Sequence, residues 1–190
     1  MKLSASATIV SSPWSIRRLS AADIGADWLD DFQRRQEVTL VYRGAPGERR
    51  IVAEPFIDDW SADERRALCR ELAAMADAGR VWAALEGASL AGFAAISPAP
   101  LGPDGEYRQL KELQVDARWR GRGLGRELMR ECAAGGRQMG AGRLYISSHS
   151  AIETVSFYER CGCAPARWLH GPQIEREPFD WQMEYDLARQ

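Results

Sequence analysis

Apolar and polar positions along the chain change period several times, and the changes mark the elements. Residues 14–19 read as a first strand, and Ser20 or Asp23 can cap a helix running to about Phe32. Residues 38–42 are strand-like, 44–47 form a turn, and 51–55 are extended. Ser61, with Glu64 three residues on, is a capping box for a helix that Leu68, Leu72 and Met75 continue until Gly79. Residues 80–86 and 90–97 read as two strands joined at Gly87, and 98–105 as a loop. A strand at 109–115 runs into a glycine-broken turn. Leu124, Leu128, Met129, Cys132 and Ala133 then recur at helical spacing up to about Met139. A strand at 144–148, a short helix at 151–160 and a closing strand at 181–187 complete the chain. Strand, helix, strand over 109–148 implies a parallel pair with a right-handed crossover. The expected fold class is α/β (α+β), a central mixed β-sheet with helices on both faces.

Composition narrows the picture. At 190 residues with 45% apolar and 27% charged positions, one domain with a sizeable core is expected. It would span 14–190, after a loose leader at 1–13. A net charge of −2 disfavours nucleic acid as partner, because such binding rests on neutralising phosphates. No stretch approaches the roughly 20 apolar residues of a membrane helix, and the N-terminus lacks a signal-peptide core. No membrane partner and cytoplasmic residence are the expectations. Cys69, Cys132, Cys161 and Cys163 lack metal-ligand spacing, and with only His149 and His170 available no metal is expected.

The chemistry concentrates at one turn. Gly121, Gly123 and Gly125 alternate with Arg120, Arg122, Leu124 and Arg126 between a strand and a helix. Alternating glycines expose backbone N–H groups, and the helix start adds partial positive charge, so the turn is a seat for phosphate or pyrophosphate. A P-loop would need a lysine and a hydroxyl after the glycines. A dinucleotide fold would need G-x-G-x-x-G and an acid about 20 residues later. Neither is present.

Arg120-Gly-Arg-Gly-Leu-Gly125, following Leu113-Gln-Val-Asp116, has the form [RQ]-x-x-G-x-[GA]. The run Phe157-Tyr-Glu-Arg-Cys-Gly162-Cys matches F/L-Y-x-x-x-G-F, with Cys163 at the usual aromatic position. From about Val81 to Cys163 the chain resembles the GNAT superfamily of acyl-CoA-dependent N-acetyltransferases. The resemblance implies a GNAT-like fold and acetyl-CoA as acyl donor. It implies that Arg120, Gly121, Arg122, Gly123, Leu124, Gly125 and Arg126 hold the pyrophosphate. Leu113, Gln114 and Val115 would pair with the pantetheine arm, and an N–H near Gln114 or Val115 would polarise the acetyl carbonyl. Tyr158 would be the general acid toward the departing thiolate.

The acceptor would be an amine, on a small molecule or a protein, attacking directly in a ternary complex. For its proton, Glu112 and His149 are both candidates, although strand alternation sets Glu112 opposite Leu113 and Val115 unless a bulge intervenes. The family commonly carries an asparagine seven residues before the tyrosine. Ala151 stands there, leaving Ser150 or Thr154 to make the pantetheine contact. Tyr158 also falls three and six residues from Val155 and Ile152, the spacing of a core aromatic. A non-catalytic acyl-CoA sensor of the same fold is the rival reading. The acidic run Asp58, Asp59, Asp63 and Glu64 suits a helix N-terminus, and could also attract a cationic acceptor. The region of Trp168 and Trp181 is a candidate homodimer surface.

Overall fold

The computed structural model describes residues 13–44 and 48–188. The leader proposed for 1–13 therefore lies almost wholly outside the described residues, as does most of the turn at 44–47. Seven strands form one sheet: β1 (Ser15–Arg18), β4 (Arg80–Glu86), β5 (Ser89–Leu101), β6 (Tyr107–Val115), β7 (Arg143–Ser148), β8 (Ala164–Pro165) and β9 (Trp181–Asp186). Their order is β1-β4-β5-β6-β7-β9-β8. Strands β6 and β7 are parallel and every other neighbouring pair is antiparallel. A separate hairpin pairs β2 (Gln36–Arg43) with β3 (Arg50–Asp58). The helices are α1 (Ala62–Met75), α2 (Leu124–Gln138), α3 (Ile152–Arg160) and α4 (Gly171–Arg176). This is the mixed sheet with covered faces that the pattern implies.

Strand alternation builds two cores. In β4, Trp82 and Ala84 face α2, while Val81 and Ala83 face α1. Helix α2 lays Leu124, Leu128, Met129 and Cys132 on the first face. It sits close because Gly92 lies beneath it: a Cβ there would come within 3.1 Å of both Leu124 and Leu128. Helix α1 contributes Cys69, Leu72 and Ala76 just beyond it to the second face, with Leu29 and Phe32.

Two expectations fail. The helix from residue 20 to about 32 is only a single 3-10 turn, Ala21–Asp23. Asp23 turns back to accept from the Ser20 N–H and hydroxyl, and later N–H groups bond three residues back: Trp28 to Gly25, Asp30 to Asp27, Phe32 to Leu29. A glycine and several aspartates favour such local turns over a continuing helix. The loop expected at 98–105 is strand in its first half, since β5 runs to Leu101, and turns only from Gly102. Pro98 is tolerated because pairing with β6 lapses between Ile96 and Pro100, where no ladder N–H is needed. Trp168 packs on Tyr107, Tyr145 and His170, and Trp181 is buried against Tyr42.

Asp116, fully buried after β6, ties the fold to the turn that follows. It accepts from the N–H groups of Gln33 and Arg118 and from the Arg118 guanidinium. Burial alone would push its carboxyl up, but these donors outweigh burial and hold it below the usual range. Asp116→Ala strands those donors, and a loss of about 3 kcal/mol is expected. In a thermal melt this reads as a midpoint lowered by about 6–12 °C. A change within about 2 °C would contradict it.

Candidate active site

A cleft of about 1170 Å³ opens where β6 and β7 part. The two strands pair only from Tyr107 to Gln109, against Arg143 to Tyr145. Beyond that point Leu110 to Val115 face the cleft along an edge that no strand covers among the described residues. The cleft reaches both faces of the sheet. On the α2–α3 side it meets Gly121, Gly123, Leu124, Gly125, Arg126, Thr154, Phe157 and Tyr158. On the other side it meets Arg34, Asp58, Trp60, Ser147, His149, Glu177 and Asp180.

The glycine turn has the geometry of a cradle. Gly121 and Gly123 take φ of +77° and +92°, a region that side chains rarely enter. A Cβ on either would meet no protein atom within 4 Å, so the glycines clear open space. Gly125 is tight instead, with a Cβ falling 3.0 Å from the Phe157 ring. Arg126 N–H closes onto Gly123, whereas among the described residues no carbonyl takes the N–H of Leu124 or Gly125 at the start of α2. These are the donors an anion needs.

The arginines divide. Arg120 does not aim its guanidinium at this cradle. It donates to the carbonyls of Val115, Arg34 and Arg35, binding the turn to the segment before β2. A planar head with five donors suits that triple bridge better than a single anion. Arg118 is spent on Asp116. Arg122 lies outside the cleft wall, whereas Arg126, like Arg120, lines it.

Tyr158 is buried on α3 and reaches the cleft. Burial pushes its phenol well up, so it stays protonated at neutral pH. Thr154, one turn earlier, is on the cleft wall. Ser150 is not available there: its hydroxyl accepts from Arg43 and its carbonyl from the Tyr42 N–H. Ala151 is fully buried and bridges to Val41 of β2, so the hairpin occupies the surroundings of the missing asparagine.

A bulge does intervene in β6, where Ala95 faces Glu112 but the next residue, Ile96, faces Leu110. It puts Leu110, Leu113 and Val115 together on the α2 side. Glu112 still faces the other way, with Gln114, which donates to its carboxyl at 3.0 Å. Desolvation raises the Glu112 carboxyl against the opposing pull of Gln114, Lys111 and Arg34. His149 accepts the Ala151 N–H at Nδ1, 3.1 Å away, and stacks near Phe56. Burial lowers its pKa although Asp58 opposes that, so the ring is neutral with its proton on Nε2. Its lone pair is already taken, which makes it a poor proton acceptor.

A profile of the Acetyltransferase (GNAT) family matches residues 47–163, well over half of the chain. The protein belongs to the GNAT acetyltransferase family. It is therefore an acyltransferase. Solved structures share the GNAT fold along nearly the whole chain. Nourseothricin acetyltransferase aligns over 93% of this chain and 99% of its own, at 19% identity and a TM-score of 0.65. A Bacillus anthracis protein described as a streptothricin acetyltransferase, solved with acetyl coenzyme A, aligns over 90% and 95%, at 14% identity and a TM-score of 0.64. A GNAT acetyltransferase of Streptococcus pneumoniae aligns over 91% and 98%, at 18% identity and a TM-score of 0.54. A search among curated proteins returned no match. Among the described residues no helix is long and apolar enough to cross a membrane, and no group of His, Cys, Asp or Glu is placed to hold a metal ion.

The cleft wall away from α2 and α3 contains residues that sequence reading missed. Asp58 was singled out only within an acidic run, and that run divides. Glu64 accepts from Ser61 to cap α1, while Asp58 enters the cleft as the ion-pair partner of Arg34. Glu177, Asp180, Ser147 and Gln173 carried no motif.

Proposed function

We propose that this chain transfers an acetyl group from acetyl-CoA to a primary amine by direct attack in a ternary complex. The cradle at the start of α2, opening into the gap between β6 and β7, carries this reading. Its unspent N–H groups and the cation of Arg126 suit a diphosphate. The bare edge of β6 suits an extended pantetheine arm, and an N–H at Gln114 or Val115 would meet the acetyl oxygen. Acetyl-CoA, when bound, supplies the activated acyl carbon. Tyr158 gives its proton to the thiolate as the carbon–sulfur bond breaks and the carbon–nitrogen bond forms. The attacking nitrogen enters as an ammonium and ends as an amide N–H, so it sheds two protons. One replaces the proton spent by Tyr158, and the other leaves through a carboxylate of the acceptor wall, for which Glu112 is the candidate on β6.

Asp58, Glu112, Glu177 and Asp180 line the acceptor half, which favours cationic amines. Nourseothricin and streptothricin, the names carried by two structures of this fold, belong in the first panel with diamines and lysine-bearing peptides. The test follows thiol release from acetyl-CoA across that panel, with mass spectrometry of the products. At least one amine should gain 42 Da with stoichiometric coenzyme A. Tight acetyl-CoA binding with no thiol release from any amine would overturn the reading in favour of a sensor. Acetyl retained on the protein would overturn direct transfer.

A further inference from the structure

We propose that Asp180, the residue preceding β9, takes the proton that the acceptor ammonium must lose before it attacks. The inference rests on the acetyltransferase reading and gives Asp180, in place of Glu112, the role of base. Trp181 pairs with Ser148, so continuing the register sets Asp180 across from His149, at the end of β7 where the strands have parted. Its half-buried side chain lines the acceptor half of the cleft.

A directed chain of hydrogen bonds fixes that side chain. Tyr145 donates its hydroxyl to the Gln182 carbonyl oxygen, which turns the Gln182 amide nitrogen toward Ser147. Ser147 Oγ accepts from that nitrogen at 3.1 Å and so must give its own proton to Asp180 Oδ2, 2.9 Å away. Asp180 is thus held by Ser147, and it also shares a side-chain hydrogen bond with Glu177 at the cleft wall.

The surroundings set the proton affinity. Burial raises the Asp180 carboxyl, and Glu177 and then Asp58 add to that, while Ser147 pulls it down, leaving it at about 7. The groups facing it from neighbouring elements are Glu177 after α4, Asp58 of β3 with its partner Arg34, and neutral His149. An ordinary carboxylate near pKa 4 is a weak base toward an ammonium near 10; one near neutrality is matched to the task. In the step proposed, the N–H bond of the ammonium breaks, its proton passes to the Asp180 carboxylate, and the freed lone pair forms the bond to the acetyl carbon. Asp180 then returns its proton to solvent. Glu112 faces the same cleft, but Gln114 occupies one of its oxygens and Lys111 and Arg34 flank it.

The test uses wild type, Asp180→Asn, Glu112→Gln, Ser147→Ala and Glu177→Gln with an amine found in the panel. Asparagine still accepts the Ser147 hydroxyl, so Asp180→Asn should keep its melting temperature and its acetyl-CoA affinity. It should lose about 100-fold in kcat/KM for the amine and lose the acid limb of the pH profile. Glu177→Gln removes a raising influence and should move that limb to lower pH; Ser147→Ala removes a lowering one and should move it higher. Carbon-13 NMR of the Asp180 carboxyl, with acetyl-CoA absent, should show the same two opposite shifts. If Asp180→Asn stays within about threefold of wild type, or if Glu112→Gln abolishes the limb instead, the assignment of Asp180 fails while the enzyme reading stands. If no amine is acetylated although acetyl-CoA binds, the enzyme reading fails and takes this one with it.

Discussion

Tyr158→Phe will lower kcat by about 100- to 1000-fold while acetyl-CoA affinity stays within about twofold of wild type. The change removes one oxygen from a ring that is otherwise core. Tyr158 packs with Val155, Cys132 and Cys163 in the cluster beneath α3, and phenylalanine keeps those contacts. Its phenol is held protonated by burial, so removing it takes away a loaded acid and no charge. The melting temperature should barely move. Single-turnover measurement of thiol release separates the chemical step from binding, and an unchanged rate would show that Tyr158 is only packing. A poor leaving group depends on protonation more than a good one, so an acetyl thioester of a more acidic thiol should recover part of the lost rate in the variant.

Gly123→Val will weaken acetyl-CoA binding by about 50-fold or more, equivalent to upwards of about 2 kcal/mol, without unfolding the protein. Gly123 holds φ at +92° as the residue before α2, where an L side chain costs about 1–2 kcal/mol and a β-branched one more. Nothing in the protein blocks a Cβ there, so the damage falls on the path of the turn and on the space above it. Both belong to the proposed diphosphate seat. Gly140, also at positive φ with open space around it, is the control: Gly140→Val carries similar backbone strain far from the cradle. Titration calorimetry with acetyl-CoA should find binding lost in the first variant and kept in the second. Equal affinities would mean that the turn at 121–125 does not seat the ligand.

Much of this architecture is legible along the chain because single elements announce themselves. The unbroken apolar run of β4, the capping box of Ser61 and the apolar stripe of α2 are local patterns, and each element lies where its pattern sets it. The two motifs meet on the α2–α3 side of one cleft, so a match to both carried information about space as well as order. What failed to show was tertiary. Arg120 looks like a phosphate ligand in a row of arginines, yet it reaches carbonyls 85 and 86 positions upstream. Asp180 depends on a serine 33 residues away, and nothing near it in sequence distinguishes it from a loop aspartate. Helix α4 has six residues and a proline in its first turn, too short for a hydrophobic period to emerge. The turns at 25–32 mislead in the opposite sense, because the buried residues Ile24, Leu29 and Phe32 fall close to helical spacing while the aspartates between them favour turns.

The three-way grip of Arg120 also bears on how this enzyme can be altered. Because one guanidinium clasps Val115 beside the glycines and Arg34 and Arg35 ahead of the hairpin, the proposed donor seat is tied directly to the segment that leads into the proposed acceptor wall. Exchanging residues 20–60 to retune selectivity therefore risks loosening the nucleotide grip, unless the transplanted loop presents two carbonyls at the same points. Lysine at 120, with one ammonium for three widely separated acceptors, would uncouple the halves.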